Sequence, residues 1–168
     1  DLEDAVAENQ KDAARYSLYH ALQEIDYRGV ERVVRINGLD TPHWKEDIRV
    51  CVAGGADIIR IAKTESAQDV HTVEEHVLAA EREFGRPEGS TLLMAALESC
   101  KGVLNALEVC KSSDRLIGIA LSGGDYTKDL QTVITGTGVE LQGARQQMII
   151  AARAAGVQCW DTVFTNLD

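Results

Sequence analysis

Five apolar runs in this chain each end in a side chain that can do chemistry. Arg35 and Asn37 close ERVVRIN, Lys63 and Glu65 follow DIIRIA, Glu98 closes TLLMAALE, Asp125 follows RLIGIALSGG, and Asp161 closes VQCW. A further acidic cluster, Asp1-Leu2-Glu3-Asp4, opens the chain. Glu98 and Asp125 follow successive runs and so offer two hard anionic oxygens to one region. That donor set suits Mg²⁺, which takes one or two carboxylates and fills its octahedron with water and substrate oxygens. An ion so held polarises a carbonyl or alkoxide oxygen as a Lewis acid. Arg35 and Asn37 have the same strand parity and should share a face. From there a guanidinium can grip a carboxylate through two parallel hydrogen bonds. Together these residues describe a site for an acidic, oxygen-rich substrate.

Each of them also has a structural alternative. Glu98 could pair with a barrel lysine and Asp125 could cap a helix starting near Tyr126. Arg35 could pair with Glu3 or Asp4. Lys63 could be a Schiff-base nucleophile, but the acids around it should raise its pKa and withhold the free amine; neutralising Glu65 or Asp4 is the favoured role. Asp161 fits either a barrel ion pair or the site. The Ser122-Gly123-Gly124 turn is a weak phosphate-cradle signal. His20, His43, His71 and His76 fall on helical segments away from the strand ends, with no triad or ligand pattern.

The elements that must position these groups alternate along the chain. Residues 11–25 have helical spacing, with Ala14, Leu18, Leu22 and Ile25 on one face. A strand over 31–37 leads to Thr41-Pro42, read as an N-cap followed by proline in the first helical position. That helix turns Trp44, Ile48 and Val52 inward and stops at Gly54-Gly55. Strand 56–62 precedes a capping-box pattern, Ser66 with Asp69, and a long helix carrying Val70, Val73, Val77, Ala80 and Phe84 to Gly85. Strand 91–98, a helix over 102–110 and strand 115–122 follow. A loop of about fifteen Gly- and Thr-rich residues then leads to a helix over about 139–155 and a strand over 157–161. Runs such as Leu116–Leu121 are apolar throughout, as in a parallel sheet covered on both faces. Strands alternating with helices give an α/β fold, and gathering the strand ends at one mouth gives a (β/α)8 TIM barrel.

The chain has 168 residues, enough for one domain. An eight-stranded barrel needs roughly 250 residues, and about six strand positions are visible, counting the opening acidic cluster as the tail of one. Residues 1–168 therefore read as a single, partial barrel domain without its first and last strands. The net charge of −10 argues against a nucleic-acid binder, which needs a basic footprint. No apolar run approaches the ~18–20 residues of a membrane span and no signal-peptide pattern opens the chain. Four cysteines lack CxxC spacing. Cys51, Cys100 and Cys159 lie in or beside apolar runs and read as buried and reduced, which suggests a cytoplasmic protein.

Seven motifs in order, DLEDAV, RINGLDTP, IAKTES, AALES, IGIALSGGDY, ELQGARQQMIIAARAAG and CWDTVFTNLD, resemble the β subunits of citrate lyase. Those subunits stand within the malyl-CoA and citryl-CoA lyase superfamily of aldolase-type barrels. The resemblance spans the chain, and DYTKDLQT with VITGTG leans toward citrate lyase. It implies Mg²⁺-dependent cleavage of a citryl thioester to oxaloacetate and an acetyl thioester, the thioester being carried by an acyl carrier protein's prosthetic group or by CoA. It implies Glu98 and Asp125 as metal ligands, with Arg35 and Glu98 touching substrate. It also implies acyl carrier protein and transferase subunits as partners and a homo-oligomer. No acid/base residue can be assigned; relatives supply an acidic residue from a C-terminal region. Two positions depart from the family pattern: Ala62 where proline often precedes the strand lysine, and Gly124 where an acid often precedes the metal-binding aspartate. CoA-dependent malyl-CoA or citramalyl-CoA lyases, and a non-catalytic assembly component, are the competing readings.

Overall fold

The computed structural model describes residues 1–163. Five strands, β1 (Val33–Ile36), β2 (Ile58–Ile61), β3 (Leu92–Leu97), β4 (Leu116–Leu121) and β5 (Gln158–Trp160), form one sheet in the order β1-β2-β3-β4-β5, with every pair parallel. Each strand lies beside its sequence neighbour, so all C-terminal ends point to one rim. The strands are shorter than the apolar runs because parallel pairing stops one or two residues inside each run's limits. The opening acidic cluster is a turn rather than a strand. It is nonetheless pinned beside β1, with the Leu2 amide donating to the Arg35 carbonyl at 2.9 Å.

Helices α1 (Lys11–Glu24), α2 (Trp44–Gly54), α3 (Ala67–Glu83), α4 (Cys100–Leu104), α5 (Ala106–Cys110), α6 (Gly123–Asp129) and α7 (Gln142–Ala155) make the connections. The capping box opening α3 forms as expected, with Ser66 accepting from the Asp69 amide and Asp69 answering the Ser66 amide. At α2 the Thr41-Pro42 expectation is two residues early. His43 occupies the cap, and Thr41 instead accepts from the His43 amide at 3.3 Å. Gly55, at φ 87°, ends that helix by returning its amide to the Cys51 and Val52 carbonyls, the left-handed stop that glycine adopts at no steric cost. The helix expected over 102–110 is broken at Asn105 into α4 and α5. Ile25 and Phe84, expected on inward faces, lie at helix ends and are exposed.

The main core lies between helices and sheet, with Ile36, Ile48, Ile59, Ile61, Val70, Val77, Leu93, Leu97, Ile119 and Met148 among its buried members. Ile58, Met94 and Ala120 pack separately on the other face with Trp160 against them. Trp160 needs Gly118 there: a Cβ at Gly118 would stand 2.2 Å from its ring and 2.6 Å from the Gln158 carbonyl. Burying the core's aliphatic side chains stabilises the fold by about 1.5–3 kcal/mol each. Cys51 and Cys110 are buried, Cys100 is half-buried, and Cys159 on β5 is exposed, contrary to its apolar context. No helix among the described residues is long and apolar enough to cross a membrane.

Candidate active site

The rim at the strands' C-terminal ends holds a cleft of about 440 Å³ lined by Lys63, Glu65, Glu98, Ser99, Asp125 and Asp129, with Leu39, Asp40 and Asp69. Glu98 is the first residue beyond β3 and is only 3% exposed. One carboxylate oxygen, Oε1, accepts from the Ser122 hydroxyl at 3.2 Å; the other, Oε2, is buried with no partner. Burial pushes its carboxyl above the usual range. The Lys63 amide opposes this, the Glu3 and Asp125 charges add to it, and the Ser122 hydroxyl opposes it weakly. The pairing of Glu98 with a barrel lysine does not form.

Asp125 adjoins Glu98 closely enough for each carboxyl to act on the other's ionisation. The helix weighed as starting near Tyr126 is present but begins three residues earlier, taking the first part of the expected loop: residues 123–129 form α6, and Asp125 is inside its first turn. The turn closes early because the Ser122 carbonyl accepts the Tyr126 amide at 3.0 Å. Asp125 is therefore not a cap. Lys128, 2.7 Å away, holds its carboxyl below the usual range. Two carboxylates, one of them starved of donors, face one cleft.

Arg35 reaches the inner face from β1. Its Nε and Nη2 donate to Asp1 at 2.8 and 2.6 Å, and Nη1 lies 2.8 Å from Glu3. The pairing expected as an alternative is thus present, with Asp1 in place of Asp4. Asn37 does not share the Arg35 face. It lies beyond the last residue of β1, where it donates to the buried Asp47 and to the Leu2 carbonyl. Asp47 is held in turn by Arg15 at 2.8 Å. This buried network fixes the opening segment that delivers Glu3 to the rim.

Lys63 stands 3.0 Å from Glu3 and 3.8 Å from Asp4. Burial lowers its pKa, but the contact with Glu3 and the charges of Glu3, Asp4 and Glu98 outweigh that and leave it raised. A Schiff-base amine is therefore disfavoured. Its φ of 52° is unusual for a residue with a side chain, and its amide lowers the Glu98 pKa. Glu65 pairs with Lys101 at 2.9 Å and accepts from Ser99 at 2.7 Å, not with Lys63. Asp161 accepts from Arg145 of α7 at 2.9 Å, the ion-pair role weighed for it.

Sequence reasoning missed Arg60, and it named Ser122 only within a weak phosphate-cradle turn rather than as the link between Arg60 and Glu98. Arg60 projects from the middle of β2, opposite Arg35 in register, into a second cavity of about 530 Å³ shared with Arg35, Ser122, Gly123 and Gly124. A charged residue inside an otherwise apolar strand was the available signal.

A singly wound parallel α/β sheet with carboxylates converging beyond its C-terminal strand ends defines a TIM-barrel-type protein with a site at the usual mouth. Residues 1–168 match the family described as HpcH/HpaI aldolase/citrate lyase, and the chain belongs to that family. It is 55% identical over 168 residues to the citrate lyase subunit beta of Leuconostoc mesenteroides subsp. cremoris, covering 100% of this chain and 56% of that protein. With the subunit from Escherichia coli (strain K12) it shares 47% over 166 residues, 99% of this chain and 55% of the relative. The chain thus spans about half the length of these relatives. Among solved structures, the citrate lyase beta subunit from M. tuberculosis, complexed with oxaloacetate and magnesium, superposes with a TM-score of 0.77 at 26% identity, covering 99% of this chain and 68% of that one.

Proposed function

We propose that this chain works as a carbon–carbon lyase, the β subunit of a citrate lyase, cleaving a citryl thioester to oxaloacetate and an acetyl thioester. The observation that carries the reading is the unpartnered Oε2 of buried Glu98 beside the Asp125 carboxylate. A buried carboxylate with one oxygen left without a donor stands to gain from a dication. The fit to Mg²⁺ is chemical: both donors are hard oxygens. Among the described residues no three His, Cys, Asp or Glu side chains gather as a metal cluster, and Mg²⁺ characteristically uses only one or two protein carboxylates. Glu98 and Asp125 would hold the ion, which when bound supplies Lewis-acid stabilisation of negative charge on the substrate's hydroxyl oxygen.

The chain's own side chains account for the rest. The substrate's hydroxyl gives up its proton, the carbon–carbon bond breaks to leave a ketone on the oxaloacetate half and an enolate on the acetyl thioester, and the enolate carbon takes up one proton in return. Arg35 grips an oxaloacetate-side carboxylate by exchanging its contact with half-exposed Asp1. Glu98 touches the same half from the other side. Lys63, kept charged by Glu3 and Asp4, adds positive potential at the rim. The thioester arrives on an acyl carrier protein's prosthetic group or on CoA. The reading includes a cytoplasmic homo-oligomer working beside acyl carrier protein and transferase subunits.

The test is substrate competition with the full chain and Mg²⁺. Citryl thioester is expected to turn over with oxaloacetate as product, at a kcat/KM above those for malyl-CoA and citramalyl-CoA. Preferential turnover of either rival with citryl thioester inert overturns the assignment.

A further inference from the structure

We propose that Arg60 is the receptor for the distal carboxylate of the oxaloacetate half, and so the residue that separates citryl from malyl thioesters. This rests on the lyase reading above and names a specificity determinant within it.

The argument begins with charge. Several buried or half-buried arginines elsewhere in the molecule have carboxylate partners: Arg15 has Asp47, Arg32 has Asp57, Arg115 has Glu81. Half-buried Arg86 also has an unpartnered Nε, but it lies beside Gly55, ahead of β2 and away from the mouth. Arg35, opposite Arg60 across the β1–β2 ladder, has Asp1 and Glu3. Among the described residues Arg60 has no carboxylate within ion-pair distance. Its one side-chain hydrogen bond is Nη2 to the Ser122 hydroxyl at 3.0 Å, and its Nε is buried with no acceptor. Burial first, and then the neighbouring Arg35, lower its pKa, yet a guanidinium stays charged in proteins. A desolvated cation with an open donor, facing a cavity rather than a packed core, is a receptor for an anion.

Position then selects the anion. The Ser122 hydroxyl that accepts from Arg60 donates to Glu98 Oε1 at 3.2 Å, so one hydroxyl links Arg60 to the carboxylate pair. A group held by Arg60 therefore lies about one side-chain length from the reacting centre. Citryl and malyl thioesters both carry a carboxylate on the hydroxyl-bearing carbon. They differ in one substituent there: citryl has a second carboxylate one methylene away, and malyl has hydrogen. Cleavage correspondingly gives oxaloacetate with two carboxylates or glyoxylate with one. With Arg35 serving the first carboxylate, the second requires another cation, and Arg60 can offer it the terminal nitrogen that Ser122 leaves free, together with the Ser122-bonded one, in the forked geometry a carboxylate accepts.

The experiment compares Arg60→Gln and Arg60→Lys with the unsubstituted full chain, reading kcat/KM for citryl and malyl thioesters and the direct binding of oxaloacetate and glyoxylate by calorimetry. A charge-assisted bidentate contact predicts a loss of about 10- to 150-fold in Arg60→Gln for citryl thioester and oxaloacetate. Malyl thioester and glyoxylate should stay within about threefold, and Arg60→Lys should recover part of the loss because it keeps the charge without the fork. Equal losses on both substrates and both ligands would assign Arg60 a merely structural hold on Ser122, and no loss on any would leave it without a role; either overturns the proposal. If Arg60→Gln fails to fold, the contrast between oxaloacetate and glyoxylate in Arg60→Lys decides it. Failure of the lyase reading shows separately, as an unsubstituted chain that does not cleave citryl thioester; the binding contrast still judges Arg60.

Discussion

Strand β3 has a buried glutamate at each end, and the two live in opposite circumstances. At its start, Glu81 of α3 is 0% exposed and receives donors on both oxygens: Arg115 through Nη1 and Nη2 at 2.9 and 2.8 Å, and the amides of Thr91 and Gly89 at 2.9 Å each. Burial raises its pKa, but Arg115 and the two amides more than offset this and hold it at about 2. At the other end, Glu98 is nearly as buried, has the Ser122 hydroxyl and the Lys63 amide, leaves Oε2 unpartnered, and has its pKa raised. The same side chain is thus stapled at the lower rim and starved at the mouth. A fold that needed Glu98 only for stability would leave a cost uncovered, since a buried carboxylate without compensation is expensive. The difference separates a structural ion pair from a carboxyl group whose surroundings leave it a free donor atom, which is the feature the proposed metal role uses.

The sharpest way to break this contrast is to neutralise each glutamate with its near-isostere. Glu98→Gln should lose Mg²⁺-dependent cleavage by about 10³-fold, because a Lewis acid supplies several kcal/mol of charge stabilisation. Its melting temperature without metal should be unchanged or higher, and Mg²⁺ should no longer raise it. Glu81→Gln should do the reverse, losing about 3 kcal/mol of stability by leaving Arg115 with only Glu74, 3.7 Å away, as a carboxylate partner while its folded fraction keeps near-normal turnover. Denaturant unfolding and metal-titrated turnover on both variants check it. A Glu98→Gln variant with full activity would remove the metal assignment.

The contrast between the two glutamates was only half legible in the sequence. Apolar runs and their terminal residues were enough to place Glu98 at the mouth, and Ser66 with Asp69 was enough to start α3, because both depend on neighbours within a few positions. The partners of each carboxylate come from far along the chain. Arg115 reaches Glu81 across 34 residues, and Arg60 reaches Ser122 across 62. Asn37 shows how strand parity fails just past a strand's end, where Asp47 captures the side chain. Gly123 and Gly124 hide the start of α6, which spacing puts near Tyr126, whereas a backbone bond from the Tyr126 amide to the Ser122 carbonyl begins it at Gly123.

A second probe of the same pair uses acid. Glu81 has a folded-state pKa of about 2 against an ordinary 4.5. A depressed carboxylate contributes stability that is fully present above its unfolded value and is lost as pH falls through the folded one. The Arg115 contact should therefore give up roughly 3 kcal/mol between pH 4.5 and 2. Unfolding free energies measured across that window should fall in the unsubstituted chain, with this component missing in Glu81→Gln. An identical pH slope in both would mean that Glu81 is not the group being titrated.

The smallest expected effect comes from making the mouth more negative. Gly124 occupies the second position of α6, is exposed, and has nothing within 4 Å of where a Cβ would stand. Gly124→Glu should therefore fit without displacement. Removing a helical glycine and placing an acid in the first turn should together stabilise by about 0.5–1 kcal/mol. The added charge, next to Asp125, should tighten the half-saturating Mg²⁺ concentration and raise KM for the anionic substrate, each by about two- to threefold, the scale of a Coulomb term of about 0.5 kcal/mol across a solvated gap. Gly124→Ala separates the two causes, since it repeats the stabilisation without the charge. If Mg²⁺ affinity in Gly124→Glu matches that of Gly124→Ala, the rim's charge does not reach the carboxylate pair, and the starvation of Glu98 is set by burial alone.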